Sequence, residues 1–405
     1  MTVSHIRRDH HPPRRVRVND PSVYALGMTT AAPTALRFAP AEHTDRMARA
    51  AEAAGERGVD ALLITPSPDY AYLLGYRAPA LERLTCLVIP AEGEPVLLLP
   101  RLEEPLARHE LGDLVEGLTV VPWDETDDPI RLVQTIVAGA RRVAVQDQMW
   151  ARFALRLRAA LDPAEVVEAG PTMSSLRRIK SAEEVDRLRA VASSADAAMR
   201  AVTSERLSGR TERDVSRHIR ELLLDAGHDT AEFGIVASGP NSASPHHEPG
   251  DRVTGSGDTI VLDFGGSRAG YCSDTSRTAV VGEPDPEFAA LYAVLRAAQA
   301  AACDAVRPGI ECGEIDAVAR EIIAEAGYGE AFIHRTGHGI GLETHEEPYI
   351  VASNREPLQA GHAFSIEPGI YIRDTWGARI EDIVVCTDTG GERLNTSSTE
   401  LYLVD

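Results

Sequence analysis

The strongest constraint on this chain is a conflict of charge that it builds twice. TIVLDFGG (259–266) reads as a strand running into a glycine turn, and YCSDTSRTAVV (271–281) as the strand that leaves it. A turn centred between Arg268 and Ala269 sets Asp263 directly across from Asp274. Further on, HAFSIEPGIY (362–371) and ARIEDIVV (378–385) flank a turn near Asp374, which sets Glu367 across from Glu381. Like charges opposed on a sheet destabilise it, and two unit charges about 4 Å apart repel by roughly 4 kcal/mol at an effective dielectric near 20. Apolar residues flank each carboxylate, so either one acid of each pair stays protonated or something positive sits between them. Any one of these acids alone reads equally well as a solvated strand position or half of a local salt bridge. The repeated arrangement reads as a holder of divalent cations.

Composition removes several classes of function. At 405 residues the chain has room for two domains with their own cores. A formal net charge of −21 repels nucleic acid and anionic membranes, so neither is expected as a partner. No apolar run approaches the roughly 18 residues that span a bilayer. Cys86, Cys272, Cys303, Cys312 and Cys386 show no CxxC spacing and no disulfide framework, which points to a reducing cytoplasm. Cys272 beside Asp274 is expected to be a packed thiol. Residues 1–40 carry arginine pairs at Arg7–Arg8 and Arg14–Arg15, the pair His10–His11 and several prolines without apolar periodicity, the pattern of a flexible basic arm. The apolar segment of roughly 7 to 15 residues that an export signal needs is missing, and Met28 offers an alternative start. Of the 41 basic residues only Lys180 is a lysine.

From 41 to 168, apolar runs at 59–65, 84–90, 95–100, 118–123 and 142–147 alternate with helical patterns, which predicts a smaller α/β domain. From 169 to 405 helices and hairpins alternate in two rounds, which predicts an α+β domain of two similar halves. Ser181 and Glu184 form a capping-box signature at the first helix. A second helix starts at Thr211, with Val215, Ile219, Leu222 and Leu223 on one face, and stops at Gly227. A third begins at Asp285 and Pro286, and a fourth runs from about Glu314 to Gly327.

The segments IVLDFGG, YCSDTSRT, HRTGHGIGLETHE (334–346), SIEPGIY (365–371) and RIEDIVV (379–385) resemble, in order, the signature motifs of the creatinase, aminopeptidase P and prolidase family, the pita-bread metallopeptidases. The resemblance covers roughly residues 170 to 405 and is looser before them. It implies a pita-bread catalytic domain with pseudo-two-fold halves behind the smaller α/β domain, and a homodimer. It also implies two divalent metal ions: Asp263 binds one only, Asp274 and Glu381 bridge both, and His338 and Glu367 complete the second. A shell so rich in oxygen suits manganese, with cobalt, iron or zinc also compatible. Two such ions share and activate a water for attack on a carbonyl, and Glu367 can relay its proton.

The same resemblance makes His345 a donor to the substrate carbonyl and has His334 line the pocket for the residue after the cleaved bond. It makes His246 a substrate-binding histidine, while His247 matches nothing and is expected to be solvated. Tyr371 resembles the family's active-site tyrosine. Arg379, two residues before Glu381 and so on the same strand face, would offset the negative charge of the site, and with Tyr371 it is expected to bind substrate, as a candidate cation for the free carboxylate of a dipeptide's proline. In the smaller domain PDYAYLLG (68–75) weakly resembles a segment that approaches the active site, though Leu74 departs from the usual threonine, and there Asp69 is expected to meet Arg379. The implied activity is cleavage between an N-terminal residue and proline in small peptides with proline second. A prolidase acting on dipeptides is preferred to an aminopeptidase P acting on longer chains. Metal-free creatinase-like hydrolases and non-catalytic binding modules on this fold are expected to lose ligands, whereas this chain keeps all five.

Overall fold

The computed structural model describes residues 38–405. The basic arm expected over residues 1–40 lies outside them except for its last three residues, and these already belong to the packed protein. Phe38 is buried in the core, and Pro40 opens the first helix, α1 (Pro40–Glu56).

The smaller domain continues with β1 (Ala61–Ile64), α2 (Pro68–Leu74), β2 (Cys86–Pro90), β3 (Val96–Pro100), α3 (Glu104–Leu111), β4 (Thr119–Trp123), α4 (Pro129–Ile136), β5 (Arg142–Val145), α5 (Ala151–Ala160), β6 (Glu165–Glu168) and α6 (Gly170–Arg177). Its six strands form one mixed sheet in the order β4-β3-β2-β1-β5-β6. Alternation along β1 sends Leu62 and Ile64 into one core cluster and Ala61 and Leu63 into another. The sheet is therefore buried on both faces, which is why its strands read as unbroken apolar runs. β6 escapes that pattern because it is an edge strand of sequence EVVE with two half-buried valines.

The catalytic region opens with α7 (Ala182–Thr203). Its capping box is complete: Glu184 N–H donates to Ser181 Oγ at 3.3 Å, and Ser181 N–H to Glu184 Oε2 at 2.8 Å. Next come α8 (Glu212–Asp225), β7 (Thr230–Ser238), β8 (Thr259–Arg268), β9 (Tyr271–Cys272) and β10 (Thr275–Val281). The second round is α9 (Pro286–Ala305), α10 (Cys312–Glu325), β11 (Gly337–Gly339), β12 (Glu346–Ile350), β13 (Ala363–Ile366), β14 (Gly369–Ile372), β15 (Trp376–Arg379), β16 (Asp382–Thr387), β17 (Gly390–Arg393) and β18 (Tyr402–Val404). The strands form sheets ordered β18-β10-β8-β7 and β12-β11-β13-β16-β17. Met199 and Val202 of α7 and Val215, Ile219 and Leu223 of α8 pack on Ile260, Leu262 and Phe264 of the first sheet. Leu291 and Leu295 of α9 and Ile315 and Ala319 of α10 pack on Phe364 and Val384 of the second. Each half is thus a helix pair over one face of a sheet. No described helix is long and apolar enough to cross a membrane.

The two hairpins differ in how well the sequence predicts them. In the second, Ile366 pairs with Asp382 and Gly369 with Arg379, and the turn carries Asp374 at φ 59°. Glu367 and Glu381 face each other in the gap between these ladders, in the expected register. In the first, Asp263 pairs with Ser276, not with Asp274. The turn is Ala269–Gly270, with φ of 53° and 78°, a pair of positive values that closes a two-residue hairpin loop. This shifts the register by two residues, so Asp274 becomes a diagonal neighbour of Asp263 in a break between β9 and β10. Glu381 N–H donates to Ser276 O at 3.0 Å, and this bridge joins the two sheets.

Candidate metal centre

Where the sheets meet, Asp263 of β8, Asp274, His338 of β11, Glu367 beyond β13 and Glu381 before β16 converge. Asp263, Asp274, His338 and Glu381 are all buried, and the Glu367 side chain is 15% exposed. Their ligand-capable atoms form two overlapping groups, Asp263–Asp274–Glu381 and His338–Glu367–Glu381, each with atoms within 4.8 Å of one another. A third group adds His345 to Asp274 and His338. The residues line one cavity of about 890 Å³ with His246, His334, His345, Arg335 and Arg379.

The donors themselves fit cations. Three buried oxygens, Asp263 Oδ1, Asp274 Oδ1 and Glu381 Oε1, have no hydrogen-bond partner, and an acceptor buried in that way costs about 1–3 kcal/mol. His338 Nδ1 donates to Gly339 O at 3.1 Å, so in the neutral ring Nε2 carries the lone pair. That atom lies 3.1 Å from Glu367 Oε1 and 3.7 Å from Asp274 Oδ2. Lone pairs facing one another across these distances call for a positive charge between them. Burial first, then the charges of Glu381 and Asp263, pushes the Asp274 carboxyl well above its usual range, and burial with Glu367 and Asp263 does the same to Glu381. Glu367 goes the other way, to about 2: burial opposes its ionisation, but the neighbouring His338, His334 and Arg379 outweigh it.

Arg379 is fully engaged. Its guanidinium donates to Asp263 Oδ2 at 2.5 Å, Ser276 Oγ at 2.9 Å, Tyr371 Oη at 2.7 Å and Pro245 O at 3.3 Å. The expected contact with Asp69 is not made. Asp69 instead accepts from Arg177 Nη1 at 2.8 Å, because the Arg379 guanidinium is already taken up by Asp263, Ser276, Tyr371 and Pro245. Tyr371 Oη donates onward to His334 Nε2 at 2.9 Å, and His334 Nδ1 donates to Arg335 O at 2.8 Å. His334 therefore lines the cavity with both ring nitrogens occupied. His246 lines the same cavity and is exposed. His247, expected in solvent, lies 2.8 Å from Glu212 Oε2. Glu212 is wholly buried and also accepts from Ser238, Asn241 and Gly250, so it anchors the loop that presents His246. Cys272 is packed, as expected, and burial raises its thiol to about 12.

Sequence reasoning passed over Arg335. It lines the cavity with its guanidinium 4.4 Å above the Tyr349 ring, and among the described residues no carboxylate pairs with it. Its only sequence signal is its place beside His334 in HRTGH.

Comparison with known proteins agrees with this architecture. The family model for the creatinase/prolidase N-terminal domain matches residues 46–179, and that for metallopeptidase family M24 matches residues 186–388. The probable dipeptidase PepE of Mycobacterium tuberculosis is 46% identical over 371 residues, covering 91% of this chain and 98% of that protein. The crystal structure of dipeptidase PepE from Mycobacterium ulcerans superposes with a TM-score of 0.87 at 46% identity, covering 91% of this chain and 99% of that one. The Xaa-Pro dipeptidase from Bacillus anthracis gives 0.82 at 31% identity, covering 89% and 100%. The chain belongs to metallopeptidase family M24, with a creatinase-type N-terminal domain ahead of a pita-bread catalytic domain.

Proposed function

We propose that this metallopeptidase hydrolyses the bond between an N-terminal residue and proline in dipeptides, using two divalent cations. Asp263, Asp274 and Glu381 would hold one ion, and Asp274, His338, Glu367 and Glu381 the other, with manganese the best match to the oxygen-rich donors. The observation that carries this reading is the uncompensated meeting of His338 Nε2, Glu367 and Asp274, together with the three buried oxygens that lack partners. When bound, such a pair of ions lowers the pKa of a water and polarises a carbonyl.

The protein's own residues supply the rest. Glu367 accepts a proton from the attacking water and returns it to the departing proline nitrogen. Burial first, then the charges of His338 and Arg335, lowers His345 to about 4, so its ring is neutral at pH 7 and its N–H is available to the carbonyl oxygen as negative charge develops there. Phe233, Ile235 and Ile333 give the cavity an apolar wall. Arg379 has no donor left for a substrate, whereas Arg335 can pair with the proline carboxylate of a dipeptide. The dipeptidase and Xaa-Pro dipeptidase relatives support the same substrate class.

The test compares kcat/KM for Ala-Pro and Ala-Pro-Ala. One desolvated ion pair to the proline carboxylate favours the dipeptide by at least about tenfold, or roughly 1.4 kcal/mol, and Arg335→Met removes that preference. Equal or better turnover of the tripeptide assigns the protein to aminopeptidase P chemistry instead.

A further inference from the structure

We propose that Asp69 and Arg177 are positioning residues for His345, through which the N-terminal domain sets the placement of the imidazole that assists the reaction. The inference rests on the role given to His345 above. No hydrogen bond holds the His345 ring among the described residues. It is only partly buried, with its centroid 4.0 Å from that of His338, so its position depends on how its backbone is anchored.

The anchoring is strong on both sides. The next residue, Glu346, is buried and its carboxylate is gripped by Lys180 Nζ at 2.5 Å and Arg177 Nη2 at 2.5 Å. Burial opposes ionisation of Glu346, yet Lys180 and Arg177 hold it below its usual range. Arg177 also donates to Glu343 Oε2 at 2.7 Å and to Asp69 Oδ1 at 2.8 Å, which ties the loop to α2 of the N-terminal domain. Two more contacts from that domain reach the same loop: Gln148 Nε2 donates to Glu343 Oε1 at 2.5 Å, and Arg77 Nη2 to Leu342 O at 3.3 Å. Gly341 closes against the clasp so tightly that a Cβ there would lie 2.5 Å from Glu346 Oε1.

The loop has somewhere to go if this grip fails. A second cavity of about 580 Å³ lies between the domains, lined by Asp69, Arg177, Glu343 and Glu346, and His345 borders it as well as the metal-centre cavity. A ring that drifts toward the second cavity leaves the first, and a misplacement of about 1 Å can cost on the order of a hundredfold in rate.

The experiment uses the metal-loaded full chain. Asp69→Ala should lower kcat by on the order of ten- to a hundredfold while KM and metal content stay unchanged, and Asp69→Asn, whose carbonyl still accepts from Arg177, should recover most of the loss. Amide hydrogen exchange should quicken in residues 341–347 with or without metal. Gln148→Ala, at the exposed end of the grip, should show the same pattern at smaller size and covers the case in which Asp69→Ala does not fold. His345→Ala alone should lower kcat by about 10²-fold, and adding Asp69→Ala to it should lower kcat no further, because both act through one imidazole. Wild-type kcat in Asp69→Ala, an undiminished further loss in the double variant, or loss of metal would overturn the proposal. An unchanged kcat in His345→Ala would instead remove the role of His345 on which it rests.

Discussion

Two clusters of buried charge border His345, and they are built on opposite principles. In the interdomain clasp, Asp69, Glu343 and Glu346 each have a cationic partner at 2.5 to 2.8 Å, supplied by Arg177 and Lys180. In the metal centre, four carboxylates converge and one arginine, Arg379, pairs with Asp263 alone. Taking a charge out of water costs several kcal/mol per ion unless a partner offsets it. The clasp shows that this chain can balance buried acids with its own cations. Leaving the second cluster unbalanced, with three oxygens unpartnered, marks a place whose countercharge comes from outside the chain.

The largest expected effect separates the clusters by what each carboxylate holds. Asp274→Ala or Glu381→Ala should release both ions and nearly all peptidase activity, while Glu343→Ala in the clasp should retain the ions. Elemental analysis beside turnover measures both, and a fully metallated Asp274→Ala protein would break the contrast.

Next in size is the response of the metal-free protein to neutralising a single acid. Glu346→Gln leaves Lys180 and Arg177 short of a buried partner and should destabilise the fold by about 3–5 kcal/mol. Glu381→Gln removes a repelling charge, keeps an acceptor for Ser276 Oγ, now 2.9 Å from Glu381, and should raise the melting temperature. Thermal unfolding of the two variants after chelation reads the difference, and a shared sign would mean the clusters are not opposites.

The smallest effect concerns pH. Burial above all lowers His43, His228 and His362 to about 4, and for His362 the neighbouring charges of Arg178 and Lys180 contribute. The unfolded chain protonates these rings near 6.5 while the folded one resists until about 4, so the unfolded state binds more protons between those values. Stability should therefore fall as pH drops from about 6.5 to 4, by up to about 1.4 kcal/mol per pH unit for each ring. His362→Gln should flatten that slope by one ring's share in urea unfolding at a series of pH values. An unaltered slope would show that burial and the neighbouring charges do not hold His362 below its usual range.

How much of this was legible in the sequence follows from how local each signal is. The second hairpin was readable because Asp374 marks its turn and one register holds on both sides of the break at Glu367 and Glu381. The first was misread by two residues because a positive φ at Ala269 leaves no trace in an alanine. The capping residues of α7, α8 and α9 were visible since each cap and its partner lie two or three positions apart. Asp69 and Arg177 are 108 residues apart, and His247 and Glu212 are 35 apart, so only the folded chain brings either pair together. Arg335 and Arg177 also belong to the commonest basic residue of the chain, which hides the particular arginine that faces a site.

If two ions complete the unbalanced carboxylates, metal stoichiometry will show it. Protein stripped by chelation, titrated with manganese and analysed for bound metal after removal of free ion, should hold close to two ions per chain, with peptidase activity rising from nothing as they bind. Full activity in the stripped protein, or no retained metal at saturation, would mean that the carboxylates do not hold catalytic ions.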